Sequence, residues 1–176
     1  MKLLFTLLLL FIHNFSFSQS KEDVIIKPID IGYLNSLVLE LCNQRTADSS
    51  VVKTSNIVTF KCAEYQSSYM ARYSICTHKN DSLHRGVKLE NMSQRLGRFN
   101  KSKLVRGSAS EICTFATFKY GKTTYVELAN HILNNFYSSE SHMDAILTRY
   151  KYGDFSCTEG IWEGQKGVYV TGVFSR

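Results

Sequence analysis

The sequence predicts an α+β domain in which a small sheet is flanked by helices. Three observations carry that expectation. Four stretches repeat apolar residues at three- and four-residue intervals, two C-terminal stretches read as strands joined by a short turn, and no proline- or glycine-rich linker divides the 176-residue chain. Elements of these two kinds bury their apolar faces compactly when helices cover a sheet.

The chain opens with MKLLFTLLLLFIHNFSFSQS. Lys2 precedes a run from Leu3 to Ile12 that is apolar except for Thr6, and small residues follow at Ser16 and Ser18. Charge, apolar core and small-residue cleavage region together predict a secretory signal peptide over residues 1–18. The run is about half the roughly 20 residues that cross a bilayer as a helix. The mature chain is therefore expected to lack a transmembrane segment and to be secreted or periplasmic. Residues 19–30 form an N-terminal extension, and 31–176 are the right size for one domain with its own core.

The elements follow in order. In DIGYLNSLVLELCNQ, Leu34, Leu37, Val38 and Leu41 mark one helical face, with Asp30 where a cap belongs. RTADSSVVKTS is polar and reads as loop. NIVTFKCAEYQSSYMARYS predicts a second helix through Val58, Cys62, Tyr65 and Tyr69, widened by Met70 and Tyr73. From Ile75 to Val87 the period is lost and a loop is expected. KLENMSQRLGRF regains it at Leu89, Met92 and Leu96, with Gly97 as the expected C-cap. Residues 98–110 are basic and serine-rich, again loop.

EICTFATFKYG is rich in aromatic and β-branched residues and reads as a strand or a buried irregular segment. TYVELANHILNNFY is the clearest helix, with Tyr125, Leu128, Ala129, Ile132, Leu133, Phe136 and Tyr137 on one stripe. Ser141 with Asp144 three residues on resembles a capping box before Ala145, Ile146 and Leu147, and predicts a further short helix. The strands FSCTEGIW and GVYVTGVF close the chain across EGQKG.

Charge narrows the function. The formal net charge is +6 at pH 7, but the cations are scattered along the sequence and match no nucleic-acid motif, which argues against a nucleic-acid partner. Cys42, Cys62, Cys76, Cys113 and Cys157 show no metal-ribbon spacing. In an oxidising compartment they predict two disulfides and one free thiol, or else several buried thiols acting as small apolar residues. There is no Gly-x-Ser-x-Gly elbow and no catalytic cysteine signature.

Three patches, with the order of elements, carry a resemblance. AEYQSSYMARYSICTH, SASEICTF and FYSSESHMDAIL, followed by GVYVTGVF, are similar to the CAP superfamily: the cysteine-rich secretory, antigen 5 and pathogenesis-related proteins, or SCP-like extracellular domains, here of bacterial type. The match covers nearly all of the mature chain. It implies a three-layer α-β-α sandwich and places His78, Glu111 and His142 at the family's cleft positions, with Phe136 in a tryptophan place and Ser139 in a serine place. The pattern departs at Ser110 and Ile112, which flank Glu111 in place of glycine and asparagine, and at Gly172 in place of a glutamine.

The resemblance implies that His78 and His142 are candidate ligands for a divalent metal such as Zn2+, with Glu111 and Ser139 in the same cleft. It also implies that Cys76 and Cys113, each two residues from a cleft residue, could be bridged. Activity is not uniform in the family, so the leading expectation is a binding or interaction module for a small ligand, lipid or other cell-envelope component. The alternative is a metal-dependent hydrolase acting on peptides or esters, with Glu111 as general base. His84 and His131 match no motif and are read as ordinary structural or surface histidines.

Overall fold

The computed structural model describes residues 24–46 and 52–176; the signal peptide read over residues 1–18 lies outside them. The elements are α1 (Ile31–Thr46), α2 (Ile57–Tyr73), β1 (Leu83–His84), β2 (Val87–Lys88), α3 (Met92–Phe99), β3 (Ala109–Thr117), α4 (Tyr125–Tyr137), α5 (Glu140–Leu147), β4 (Tyr152–Trp162) and β5 (Gln165–Ser175). The fold is α+β, as its periodicities predict.

Polar side chains start the helices by satisfying amides that have no intrahelical partner. Asp30 Oδ1 accepts from the Tyr33 amide at 2.9 Å, and Asn56 Oδ1 from the Val58 amide at 2.8 Å. Reciprocal capping boxes open α3 (Asn91 with Gln94) and α4 (Thr124 with Glu127).

The main sheet has the order β3–β5–β4 and is antiparallel throughout. Trp162 pairs with Gln165, leaving Glu163 and Gly164 as a two-residue turn at φ 51° and 77°. Two successive left-handed residues make a turn whose twist matches that of the flanking strands. Central β5 is buried from Gly167 to Ser175, because helices cover both of its faces. On one face Val168, Val170 and Phe174 join Ile112, Ala116 and Phe155 against α1, α4 and α5, where Leu34, Val38, Leu128, Ile132 and Phe136 are fully buried. On the other, Val173 packs with Val58, Cys62 and Ala63 of α2 and Met92 and Leu96 of α3, and Tyr169 with Met70 and Cys113. The period-two alternation of β5 thus serves two cores, and the molecule has three layers.

Several local expectations are corrected. The Ile75–Val87 segment contains the ribbon β1–β2, whose strands of two residues are too short to leave a pattern. Gly97 lies inside α3 and does not cap it. The helix runs on so that Phe99 can pack, and ends at Asn100, whose amide bonds the Leu96 carbonyl at 2.8 Å. Asn100 also brackets Val105 through both ends of its side-chain amide. Ser141 is likewise no cap: α5 starts at Glu140 after Ser139, and the first helical bond runs from the Met143 amide to the Ser139 carbonyl. Only Ser138 and Ser139 separate α4 from α5. Both closing strands begin earlier than read, at Tyr152 and Gln165, and β5 runs one residue farther, to Ser175. All five cysteines are free thiols, so neither the two expected disulfides nor a Cys76–Cys113 bridge is present; these two residues instead pack in one apolar cluster.

Candidate functional site

Glu111 sits on β3, an edge strand whose side chains alternate between the two cores. Ile112 points into the α1/α4 core at 1 % exposure, so Glu111 and Cys113 face the other way, toward the loop after α2. That loop carries His78. Gln66, fully buried on α2, donates to the Thr77 carbonyl at 2.5 Å and accepts from Asn80 at 3.3 Å. The Asn80 amide bonds the Glu90 carbonyl at 2.9 Å. A segment without regular structure is thereby held by buried polar groups, and the His78 backbone is fixed.

The imidazole of His78 meets Glu111: Nδ1 lies 3.2 Å from Oε1. The other carboxylate oxygen accepts from Arg95 Nη2 at 2.6 Å. Arg95 is entirely buried, the Glu111 side chain is 4 % exposed and the His78 side chain 55 % exposed. The same guanidinium donates to the carbonyls of Leu89 at 3.1 Å, Glu90 at 3.3 Å and His78 at 3.4 Å. A buried charge is tolerated when it is paired and hydrogen-bonded, and Arg95 is both.

His142 arrives from the first turn of α5. Its ring centroid is 6.4 Å from that of His78, and it stands edge-on to Phe136 at 5.5 Å. Burial, and secondarily the positive charge of His78, hold its pKa below the ordinary imidazole value. Its Nδ1 is buried without a hydrogen-bond partner among the described residues. Ser139, at the start of α5, has its hydroxyl 3.2 Å from that of Ser141. A groove of about 430 Å³ opens beside the acid–imidazole pair, lined in part by His78, Ser110, Glu111, Ser141 and Ala145. Ser110, one of the departures beside Glu111, places its hydroxyl 2.7 Å from that of Tyr150.

The structure therefore brings His78 and Glu111 into contact and sets His142 beside His78, while the serine lining the groove is Ser141, with Ser139 reaching it only through the Ser141 hydroxyl. It separates His131, exposed on α4, and His84, which stacks edge-on with Tyr65 and Phe99 elsewhere. Arg95 and Gln66 are site residues that were missed. Arg95 had a readable signal: it shares a helical face with Met92, Leu96 and Phe99, and a lone cation on an apolar stripe needs a buried partner. Gln66 lies among the polar residues of α2 and has no comparable signature.

Donor atoms of His78, Glu111 and Cys113 lie within 4.8 Å of one another, which is close enough to share a metal ion. The chemistry fits only in part. Burial first, and the charge of Glu111 second, push the Cys113 thiol well above its ordinary pKa, whereas metal binding requires the thiolate. Arg95 already neutralises Glu111. His78 has the carboxylate that characteristically orients a ligating imidazole, while His142 lacks the corresponding acceptor for its inner nitrogen. These residues do not form a complete metal centre. A general base must also reach a substrate proton, and both Glu111 oxygens are engaged by Arg95 and His78.

No known protein family matches the sequence, and no curated protein does. Among solved structures the fold is similar to an outer surface protein from Borrelia burgdorferi, at 15 % identity, over 84 % of this chain and 96 % of that one, with a TM-score of 0.58. That likeness is one of fold. Among the described residues, no helix is long and apolar enough to cross a membrane.

Proposed function

We propose that this chain is an exported binding module of the CAP kind, whose groove beside His78 and Glu111 takes a small ligand or a component of the cell envelope. The carrying observation is the relay from buried Arg95 through Glu111 to the half-exposed ring of His78. Such a relay pre-orients an imidazole and presents Nε2 to the groove, which is a recognition device. Glu111 serves as its fixed anchor. Export is expected from residues 1–18, and an outer surface protein shares the fold.

The test is native mass spectrometry of the exported protein together with NMR of its imidazole resonances during titration with an envelope lipid extract. A co-purifying molecule, or ring shifts lost in His78→Ala and His142→Ala, supports the reading. No adduct and no ring shift overturns it.

A second reading, Zn2+ on His78 and His142, is favoured by the 6.4 Å between the two ring centroids and by the close donor set of His78 with Glu111 and Cys113. Zinc calorimetry of wild type against the same two variants tests it, and undiminished binding in both removes it. The hydrolase alternative additionally requires turnover of a peptide or ester substrate that Glu111→Gln abolishes, and wild-type protein without any such turnover removes it.

A further inference from the structure

A second concavity, of about 570 Å³, lies where α2, the β1–β2 ribbon and the end of α3 meet, and it shares no lining residue with the His78 groove. Its size is that of a small-molecule site. Each element contributes for a local reason. Lys61, Glu64, Tyr65 and Ser68 stand at i, i+3, i+4 and i+7 on one face of α2. Arg85 occupies the tip of the ribbon, where His84 pairs with Val87 and both turn residues, Arg85 and Gly86, are left-handed at φ 50° and 78°. Arg98 and Phe99 close α3, and Lys101 follows.

Two features point to a ligand. Lys61, Arg85, Arg98 and Lys101 converge on the concavity, and none of them has a carboxylate partner within ion-pair distance among the described residues. Only Glu64 opposes them there. The second feature is a floor of three mutually edge-on rings. Tyr65 lies 5.5 Å from His84 and 5.9 Å from Phe99, and His84 lies 5.7 Å from Phe99. The floor is fixed from behind by the Tyr65 hydroxyl, 2.9 Å from the Ser82 hydroxyl.

We infer that this pocket binds a phosphate- or sulfate-bearing sugar or polyol. The four cations, two of them guanidiniums with forked donors, match a tetrahedral oxyanion. Glu64 and the Ser68 hydroxyl supply acceptors for ligand hydroxyls, which an oxyanion alone would not use. The ring floor matches the C–H face of a sugar. The site is independent of the His78 groove and of any metal.

The experiment is an amide NMR titration of the mature protein with glucose 6-phosphate, glucose, inorganic phosphate, and vesicles of phosphatidylglycerol against phosphatidylcholine. Expected are saturable shifts at Tyr65, Ser68, His84 and Phe99 with glucose 6-phosphate, weaker shifts with phosphate and none with glucose. Affinity should fall about tenfold or more in Arg85→Ala/Arg98→Ala, and should fall as salt rises. Binding of phosphatidylglycerol vesicles alone, lost in the same double variant, supports the pocket and assigns the phosphate to a lipid headgroup. Phosphate binding as tightly as glucose 6-phosphate, an unaffected double variant, or no shift with any probe overturns the inference.

Discussion

Replacing Arg95 with Met tests the physical basis of the first groove. Met nearly conserves the apolar length of the side chain and removes only the charged fork. Arg95 is fully buried and its partner carboxylate is 4 % exposed, so the change strands Glu111 in a poorly solvated position beside a single imidazole. It also removes the donors to the Leu89, Glu90 and His78 carbonyls. Breaking a buried pair by removing one partner costs about 3–5 kcal/mol. At about 2–4 °C per kcal/mol for a domain of this size, the melting temperature should drop by roughly 6–20 °C. Urea unfolding at neutral pH, with calorimetry alongside, measures it. The double variant Arg95→Met/Glu111→Leu should recover most of the loss, because no buried charge is then orphaned. A single variant within about 1 kcal/mol of wild type, or a double variant less stable than the single, would refute the buried-pair reasoning.

Three further outcomes follow from the packing and the titrating groups. A Cβ at Gly167 would run into the Ala116 carbonyl oxygen and the Phe115 ring, so Gly167→Ala should destabilise by about 1–3 kcal/mol in thermal melts, and a neutral result would mean that β3 and β5 are less tightly apposed. His142 has a depressed folded-state pKa, so the unfolded chain binds its proton first; its contribution is whole above the ordinary imidazole value and is lost as pH falls through the folded one. Urea midpoints taken from about pH 7 to about pH 5 should decline less in His142→Phe than in wild type, and parallel declines would contradict the shift. Thiol titration of the unreduced, denatured protein should count five free cysteines, and natively Cys76 should react first as the least buried; a lower count, with a Cys76–Cys113 peptide on mapping, would restore the bridge.

The helices and the closing hairpin were legible because they rest on local periodicity, whereas the two-residue strands β1 and β2 were not and β3 stayed open between strand and irregular segment. The stripes through Leu34 and Leu128 and the alternating core of β5 have no other compact use, so the α+β class and the flanking of the sheet by helices followed from them. Boundaries at Gly97 and Ser141 were misread because a cap residue competes with packing. Phe99 gains more by staying in α3 than Gly97 gains by ending it. The resemblance brought together His78, Glu111 and His142, which no spacing argument could have related across 33 and 31 residues.

Sequence alone therefore determined the helices, the closing hairpin and the apolar faces they turn inward, since these depend on the order of apolar and polar residues along the chain. Tertiary structure alone decided the use of the polar residues. It sent Arg95 inward to hold Glu111 and left Cys76 and Cys113 as thiols. It also gathered Lys61, Arg85, Arg98 and Lys101, scattered along the sequence, around one pocket. Electrostatics acts through distance in space, and the chain brings residues close only after the apolar faces have chosen their partners.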